Sequence, residues 1–289
     1  MTNTKELLER INSVSSMQQI TKTMKLISVS KFSRAQNVLR LVKSYDDAIS
    51  TMLNNNASDD IIDALSMYVL PRKTISKTLI IPISAHRGFC GAFNKNIIKK
   101  TDALIKDESD LSHNVTVMPI GKKIFSYVSK RGYSVVQPNN DLLSNIDTQL
   151  IHDHAINVIN DYVHGLYDEV LIIYNDFVNA SSQKISVVKL LPFDIIPSRG
   201  NKQDDCIFEP TKSEVLQKIM LLRLKSLFTR CVVSSITAEH GSRMVSMNKA
   251  DDNAENLIKQ LRIVYNQTRQ AAITNEIIEI SAGASAING

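Results

Sequence analysis

The chain has 289 residues, enough for one large domain or two smaller ones. Its net charge of +5 is mild, and a hydrophobic content of 43% is ordinary for a globular protein. The three cysteines, Cys90, Cys206 and Cys231, form no CxxC pair, which argues against a disulfide framework and a structural zinc site. No stretch approaches the roughly 18 consecutive apolar residues of a membrane-spanning helix. We therefore expect a soluble or peripheral protein with isolated thiols in a reducing compartment.

The N-terminal part carries a helical repeat. Apolar or small residues recur there with a mean spacing of 3.5, which is the period of a left-handed coiled coil. Turn and capping residues at 54–60 interrupt the repeat. We predict a coiled-coil helix over 1–57 and a connector over 58–71. The predicted stripe comprises Leu7, Ile11, Val14, Met17, Ile20, Met24, Ile27, Phe32, Ala35, Val38, Val42, Tyr45 and Ile49.

The C-terminal part repeats this signal and predicts a second coiled-coil helix over 211–289. Small residues are frequent in its first half, so a partner helix could approach closely. The two terminal helices are expected to wind around each other. The upstream stripe is Leu216, Met220, Leu224, Leu227, Cys231, Ser234, Ala238, Gly241 and Val245. The downstream stripe is Leu257, Leu261, Val264, Thr268, Ala271, Asn275 and Ile278.

The middle of the chain, 72–210, predicts a Rossmann-like α/β domain. All seven prolines lie between Pro71 and Pro210, so helix breakers are concentrated there. Strand-like runs at 78–84, 114–120, 133–136, 168–177 and 185–193 are rich in branched residues. Helical candidates at 94–107, 121–131 and 147–164 separate the first four strands, which is the βαβ rhythm of a largely parallel sheet. The last two strands are joined so closely that they predict a hairpin.

One loop of this domain, "SAHRGFCGAFN" at 84–94, raises the question of nucleotide binding. It links an apolar strand to a helix, as phosphate-binding loops do. However, it lacks both GxxxxGK[ST] and GxGxxG, the patterns whose backbone amides and side chains hold phosphates. Helix N-termini still attract anions, and Arg87 could add charge. We favour a tight turn and keep a small-molecule enzyme using this loop as an alternative.

Motifs for catalysis are not found elsewhere. The chain has no GxSxG, no HExxH and no identifiable Cys–His dyad. His152 and His154 lie two apart in a predicted helix and would point to different sides, so they do not form a metal pair. We expect no catalytic residue, no metal and no cofactor on this chain.

A basic run is the clearest charge feature. Seven basic and no acidic residues lie from Arg10 to Lys43. A nucleic-acid footprint, a solvated helix face and a shaft meeting an acidic protein surface are three interpretations. The coiled-coil period favours the third, because the same helix must also hold a partner helix. A basic coiled-coil nucleic-acid-binding protein stays open as the alternative. The residues are Arg10, Lys22, Lys25, Lys31, Arg34, Arg40 and Lys43.

Four ordered blocks together resemble the gamma subunits of F-type ATP synthases. Residues 10–36 resemble the opening helix of that family, and 87–94 resemble its RGLCGGFN-like loop. Residues 208–216 resemble the EP-containing start of its last helix, and 243–287 match that helix almost position for position. The sequence departs from the family at His86, where Asp is usual, and at Phe208, where Tyr is frequent. The cysteine-bearing insertion of chloroplast members is absent.

The resemblance implies a central-stalk rotor subunit. Family members place two terminal helices as an antiparallel coiled coil inside a ring of alpha and beta subunits, with the α/β domain below on the epsilon subunit and the c-ring. Residues expected to face the catalytic ring are Met24, Lys25, Arg243, Arg269, Gln270, Thr274 and Glu276. Residues expected at the foot, facing epsilon and the c-ring, are Phe208, Glu209 and Glu214. The start of the chain has no transit-like leader, so we expect a bacterial protein, peripheral on the cytoplasmic side of the inner membrane.

Overall fold

The computed structural model describes residues 4–56, 65–72, 75–136, 140–143, 146–195 and 208–288. Cys206 and half of the predicted connector, residues 58–64, lie outside these residues. The elements in chain order are α1 (Thr4–Asn56), α2 (Ser66–Val69), β1 (Lys77–Pro82), α3 (Phe93–Asp110), β2 (Asn114–Val117), α4 (Lys122–Arg131), β3 (Ser134–Val135), a 3-10 turn (Asn140–Leu143), α5 (Thr148–Val163), β4 (Glu169–Phe177), β5 (Gln183–Leu191) and α6 (Lys212–Asn288).

The chain divides into two compact units, and both α1 and α6 contribute to each of them. The helical unit comprises Met1–Ser28 and Met244–Gly289. The α/β unit comprises Val29–Arg243 and contains every strand.

The sheet of the α/β unit has the strand order β3-β2-β1-β4-β5. β1 pairs in parallel with β2 and β4, and β2 pairs in parallel with β3. β4 and β5 form an antiparallel hairpin. The predicted βαβ rhythm and the final hairpin are therefore confirmed. Branched side chains explain the strands, because β1 and β4 are buried between helices on both faces.

Two hydrophobic layers cover the sheet. On one face α3 and α4 pack through Ile97 and Ile124 against Ile80 and Ile173. On the other face α5 packs with α1 and α6, where Leu39 and Phe228 belong to the same core as the strands. From residue 226 to 239 every side chain of α6 except that of Arg230 is buried. α6 is thus a central core helix of this unit.

Local signals explain where the helices begin and end. The carboxylate of Asp147 caps α5 by accepting from the amides of Gln149 (3.0 Å) and Leu150 (3.4 Å). α4 begins after Gly121, whose φ is +108° and whose missing Cβ would lie 2.4 Å from the carbonyl oxygen of Ser84. Only glycine fits this position, where the chain returns beside the end of β1.

The helical unit is held by a narrow antiparallel seam. Leu7 and Ile11 of α1 are buried against Leu261 of α6, as the predicted stripes require. The Lys25 ammonium donates to the Asn248 side-chain carbonyl. Because lower numbers on α1 meet higher numbers on α6, the predicted antiparallel arrangement is confirmed.

The predicted stripe of α1 is wrong at several apolar positions. Met17 (62% exposed), Ile20 (60%) and Ile27 (53%) face outward, and so does Tyr45 in the α/β unit (50%). Several inward positions between Val14 and Ala35 are polar, among them the buried Ser28. The spacing identified the period, but it could not show which of two adjacent faces meets the partner helix.

The downstream stripe of α6 is correct at Leu261, which is buried, and wrong at most of its other positions. Leu257 and Val264 are exposed, whereas Ile258 and Leu261 are buried. Every residue from 269 to 284 is exposed, including the predicted Ala271, Asn275 and Ile278. Leu7 and Ile11 of α1 meet α6 at Leu261, and among the described residues no helix covers the exposed stretch of α6 beyond it.

Asp168 links the starts of β1 and β4, and it gives a test of the fold. Its carboxylate accepts from the Ser76 amide (2.9 Å), the Ser76 hydroxyl (2.9 Å) and the Lys77 amide (3.0 Å), and it pairs with Arg72 at 3.0 Å. Burial alone would raise the pKa of Asp168, but these donors hold the pKa below its ordinary value of 3.8.

We predict that Asp168→Asn lowers the free energy of unfolding at pH 7 by about 1–3 kcal/mol, because charged acceptors make the stronger bonds. A carboxyl whose pKa is lower in the folded than in the unfolded state stabilises the fold at pH values above the unfolded-state pKa. That stabilisation is lost as the pH falls through the folded-state pKa. The difference between variant and wild type in urea unfolding should therefore shrink below about pH 4. A difference that stays constant from pH 7 to pH 2.5 would contradict this account.

Candidate functional site

The loop at 84–92 lies where α/β folds usually bind ligands. It follows the carboxyl end of β1, and the chain passes from one side of β1 to the other between β3 and β4. Ligands of open α/β sheets bind at such a switch point, in the crevice beyond the strand ends. The strand–turn–helix context predicted for this loop is therefore present.

The crevice is filled by α6. Ser234 of α6 accepts from the Phe177 amide at 2.9 Å and donates to the Asp176 carboxylate at 2.8 Å. Ala238, one turn further along, packs against Cys90 and Phe93 of the loop region. Small side chains on α6 allow this close approach to the strand ends. The protein's own helix thus occupies the place that a nucleotide takes in related architectures.

The loop directs carbonyl oxygens toward α6. The Arg243 guanidinium donates to the carbonyls of Arg87 and Gly88, each at 3.3 Å. The Ser242 hydroxyl donates to the Cys90 carbonyl at 2.7 Å. A phosphate cradle needs converging backbone N–H groups. This arrangement instead attaches the loop to a cation and a hydroxyl of α6, as expected for a tight structural turn.

Arg243 also balances a buried acid. Its guanidinium pairs with the Glu239 carboxylate at 2.8 Å, and both side chains are nearly inaccessible. Burial raises the pKa of Glu239, and the neighbouring Arg243 opposes that rise. Burial and Arg243 lower the pKa of His240 to about 4, so at pH 7 its Nδ1 is a neutral acceptor, 3.4 Å from Arg243 Nη1.

The histidine pair of α5 has no metal-binding geometry. Burial lowers the pKa of His152 and of His154. His152 lines an open cleft of about 250 Å³ beside Tyr45 and Ser226, and His154 does not. Within the part of the chain that the structure describes, no group of three or more His, Cys, Asp or Glu side chains could hold a metal ion.

Six of the seven residues expected to face the catalytic ring lie in the helical unit. Met24 and Lys25 are half-buried on α1. The four α6 positions Arg269, Gln270, Thr274 and Glu276 are exposed on the part of α6 that extends beyond the α1 seam. The Thr274 hydroxyl donates to the Gln270 carbonyl of its own helix at 2.9 Å. Their side chains are thus available to a partner.

The seventh residue, Arg243, lies outside the helical unit, and its expected contact with the catalytic ring stays a prediction. It is 6% exposed and belongs to the α/β unit, where its donors are used by Glu239 and the loop carbonyls. The helical period could not reveal this, because Arg243 meets the loop through the tertiary fold.

The three residues expected at the foot lie around the start of α6. Phe208 is half-buried, with the Lys212 ammonium 5.8 Å from its ring centre. Glu209 and Glu214 are exposed. The Glu214 backbone amide donates to the Thr211 hydroxyl oxygen at 3.3 Å, which caps the start of α6.

The sequence analysis missed an exposed apolar surface on the helical unit. More than a third of each apolar side chain in this surface is accessible, although the rest of the helix surface is mainly polar. A helix that is apolar on several faces is usually covered on those faces. Part of this pattern was readable in the sequence, because Ile263, Ile273, Ile277 and Ile280 lie outside the assigned stripes. The residues are Met17, Ile20, Leu26, Ile27, Ile263, Val264, Ile273, Ile277, Ile278 and Ile280.

Comparison with known proteins gives one consistent answer. The sequence model of the ATP synthase family matches residues 3–287. The ATP synthase gamma chain of Amoebophilus asiaticus is 38% identical over 291 residues, and that of Christiangramia forsetii is 37% identical over 289 residues. In both pairs the whole of each chain is covered.

Solved structures share the fold. The rotor of the Euglena gracilis mitochondrial ATP synthase gives a TM-score of 0.64 at 19% identity, covering 93% of this chain and 98% of that chain. The central stalk and c-ring structure of the Tetrahymena thermophila mitochondrial ATP synthase gives a TM-score of 0.56 at 23% identity. That match covers 80% of this chain and 99% of that chain.

The long terminal helices and the mixed five-stranded sheet define a rotor-type scaffold of the ATP synthase central stalk. The chain belongs to the ATP synthase gamma chain family. Among the described residues, no helix has the length and hydropathy needed to cross a membrane.

We predict that Arg243→Ala lowers the free energy of unfolding by about 3 kcal/mol, because it leaves the buried Glu239 carboxylate unpaired. Hydrogen exchange of amides 86–92 should accelerate as the loop loses its anchor. Glu239→Gln in the same chain should recover part of the stability but not the protection of the loop.

Ser242→Ala is the matched control, because it removes one bond to the same loop and should cost about 1 kcal/mol. Equal effects of the two substitutions on denaturant unfolding would argue against the role of Arg243.

Proposed function

We propose that this chain is the central-stalk rotor subunit of a proton-translocating F-type ATP synthase, which couples rotation of the c-ring to conformational change at catalytic sites on the beta subunits. Family membership supports the assignment. The observation that carries it in the structure is the apolar, exposed surface of the helical unit, which a surrounding protein would cover.

The helical unit is proposed to lie inside the ring of alpha and beta subunits. The exposed Ile273, Ile277 and Ile280 would bury apolar area there. Further contacts would come from the residues around them. These are proposed to be Met24, Lys25, Arg269, Gln270, Thr274 and Glu276, with Arg243 acting indirectly through the loop at 84–92.

The basic run of α1 supports an acidic partner surface. Arg10 and Lys22 of the helical unit, and Lys31, Arg34 and Arg40 of the α/β unit, are exposed. From Lys22 to Arg40 the same helix carries no acid. Positive side chains in such a stretch favour association with negative surfaces and accelerate it. Nothing in the fold or in the relatives favours the nucleic-acid alternative.

The mechanism is conformational coupling without catalysis by this chain. A rotor can drive three sites only if each rotor angle stabilises a different set of site conformations. Two helices that carry different side chains around the rotation axis meet this requirement, because rotation presents different groups to each site. Nucleotide chemistry is then assigned to the beta subunits.

Residues 72–210, a part of the α/β unit, are proposed to form the foot. Phe208, Glu209 and Glu214 would face the epsilon subunit and the c-ring, which would hold the protein on the cytoplasmic side of a bacterial inner membrane. In functional terms the domains are 1–57 and 211–289 for the shaft, 58–71 for the connector and 72–210 for the foot.

We predict that the full chain, mixed with alpha and beta subunits from the same organism, forms a complex with ATPase activity. Ile277→Asp combined with Ile280→Asp should weaken assembly by tenfold or more, because two buried apolar contacts of about 1.5 kcal/mol each are lost. Thermal unfolding of the isolated chain should not change, since both side chains are exposed.

Leu111→Asp is the control, because Leu111 is equally exposed (64%) but lies at the end of α3, outside the proposed contact. Assembly is measured by size-exclusion chromatography, and activity by phosphate release. If the wild-type chain does not join the ring, or if Leu111→Asp weakens assembly as much as the isoleucine variant, the proposal fails.

A further inference from the structure

Asp46 places a charge in the apolar seam between α1 and α6 of the α/β unit. Its side chain is fully buried. It belongs to a stripe of α1 with alternating spacings of four and three, the pattern of coiled-coil core positions. The stripe is Ala35, Leu39, Val42, Asp46, Ile49, Leu53 and Asn56.

Two arginines of α6 share this carboxylate. Arg223 Nη1 donates to Asp46 Oδ1, and Arg230 Nη1 donates to Asp46 Oδ2 at 2.9 Å. The Arg223 guanidinium also lies over the ring of Phe193, 5.4 Å from its centre. Arg230 is the more exposed of the two and lies 3.8 Å from Asp47. Each carboxylate oxygen therefore has its own arginine.

Such a cluster contributes little net stability. Removing charged groups from water costs nearly as much as their attraction returns, and apolar residues of similar volume often hold a fold equally well. The best-attested role of a polar group at a core position of a coiled coil is to specify which residues face each other.

The spacing of the arginines fits that role. Arg223 and Arg230 are seven residues apart, which is one heptad, and Asp46 lies between them. A slip of one heptad, about 10 Å at 1.5 Å per residue, would place apolar stripe positions against apolar positions again. After that slip Asp46 would meet only one arginine. The native register is the one in which both arginines reach the same carboxylate.

We propose that Asp46, Arg223 and Arg230 form a register lock that fixes the axial position of α1 against α6 in the α/β unit. The consequence for activity rests on the proposed rotor function: helices that cannot slide transmit rotation as one body. The register itself is a property of the isolated chain and can be measured without any partner.

The two arginines predict slips in opposite directions. With Arg230→Leu, Asp46 keeps one partner in the native register and also when α1 moves toward the start of α6. With Arg223→Leu, the equivalent register is reached by movement toward the end of α6. In each single variant Asp46 therefore has one arginine partner in the native register and one in the slipped register. In the wild type it has two partners in the native register and one after a slip, so the native register is favoured.

The test measures the distance between spin labels at Leu41→Cys and Leu222→Cys, two exposed positions on α1 and α6. The three native cysteines are first replaced by alanine in the full chain. Double electron–electron resonance should give one distance for the parent chain. Arg230→Leu should add a shorter population and Arg223→Leu a longer one, because Leu41 lies on the side of Asp46 that is farther from Leu222.

The combination Asp46→Leu, Arg223→Leu and Arg230→Leu is the second arm. It should unfold at a temperature at least equal to the parent and yet show a broad or multiple distance distribution. Lys225→Leu, on the same stretch of α6 but outside the cluster, should leave the single parental distance. If all arginine variants keep that distance, or if the triple variant keeps it while folded, the register lock is overturned.

In the assembled complex the same single variants should lower ATP-driven proton pumping relative to ATP hydrolysis. Failure of the parent chain to assemble would count against the proposed function and leave the distance result as the measure of the lock. If a variant with shifted distances pumps protons normally, the helix register does not control coupling. That result would overturn the claim that the lock is needed to transmit rotation.

Discussion

The structure of the α/β unit depends on burying a segment of α6 from nearly all sides. Between residues 226 and 239 this helix packs against α1, the sheet and the loop after β1. Its own backbone bonds are satisfied within the helix, so the sheet can surround it at little polar cost. Ser234 and Ala238 keep it close to the strand ends. Larger side chains there would separate the helix from the sheet.

This constraint explains why a Rossmann-like sheet can serve a mechanical purpose. The crevice at the switch point is present, but a helix fills it, and the loop beside it gives carbonyl oxygens to Arg243 and Ser242. These carbonyl oxygens attach the loop to a long helix instead of forming the N–H cradle that a phosphate needs. A force on the α/β unit is transmitted directly into α6.

The helical unit has the opposite character. Its internal seam is narrow, with Leu7, Ile11 and Leu261 as its buried apolar residues at one end. Much of its apolar area faces outward, which is costly for an isolated protein and favourable inside a complex. A narrow seam and a covered exterior fit a shaft whose stability comes partly from its surroundings. In the α/β unit, by contrast, the buried charges of Asp46 and its two arginines contribute more to the register of α1 against α6 than to net stability.

The sequence by itself determined the helical ends, the five strands, the hairpin and the family, because periodicity, branched residues and local breakers act over short distances. It also placed Arg269 and Glu276 on an accessible helix. Only the tertiary structure decided that Met17 and Ile20 face outward and that Arg243 is buried on Glu239. A helical period leaves the direction of its face undetermined until partners are packed. The role of the loop at 84–92 likewise depended on Ser242 and Arg243, more than 150 residues away in sequence.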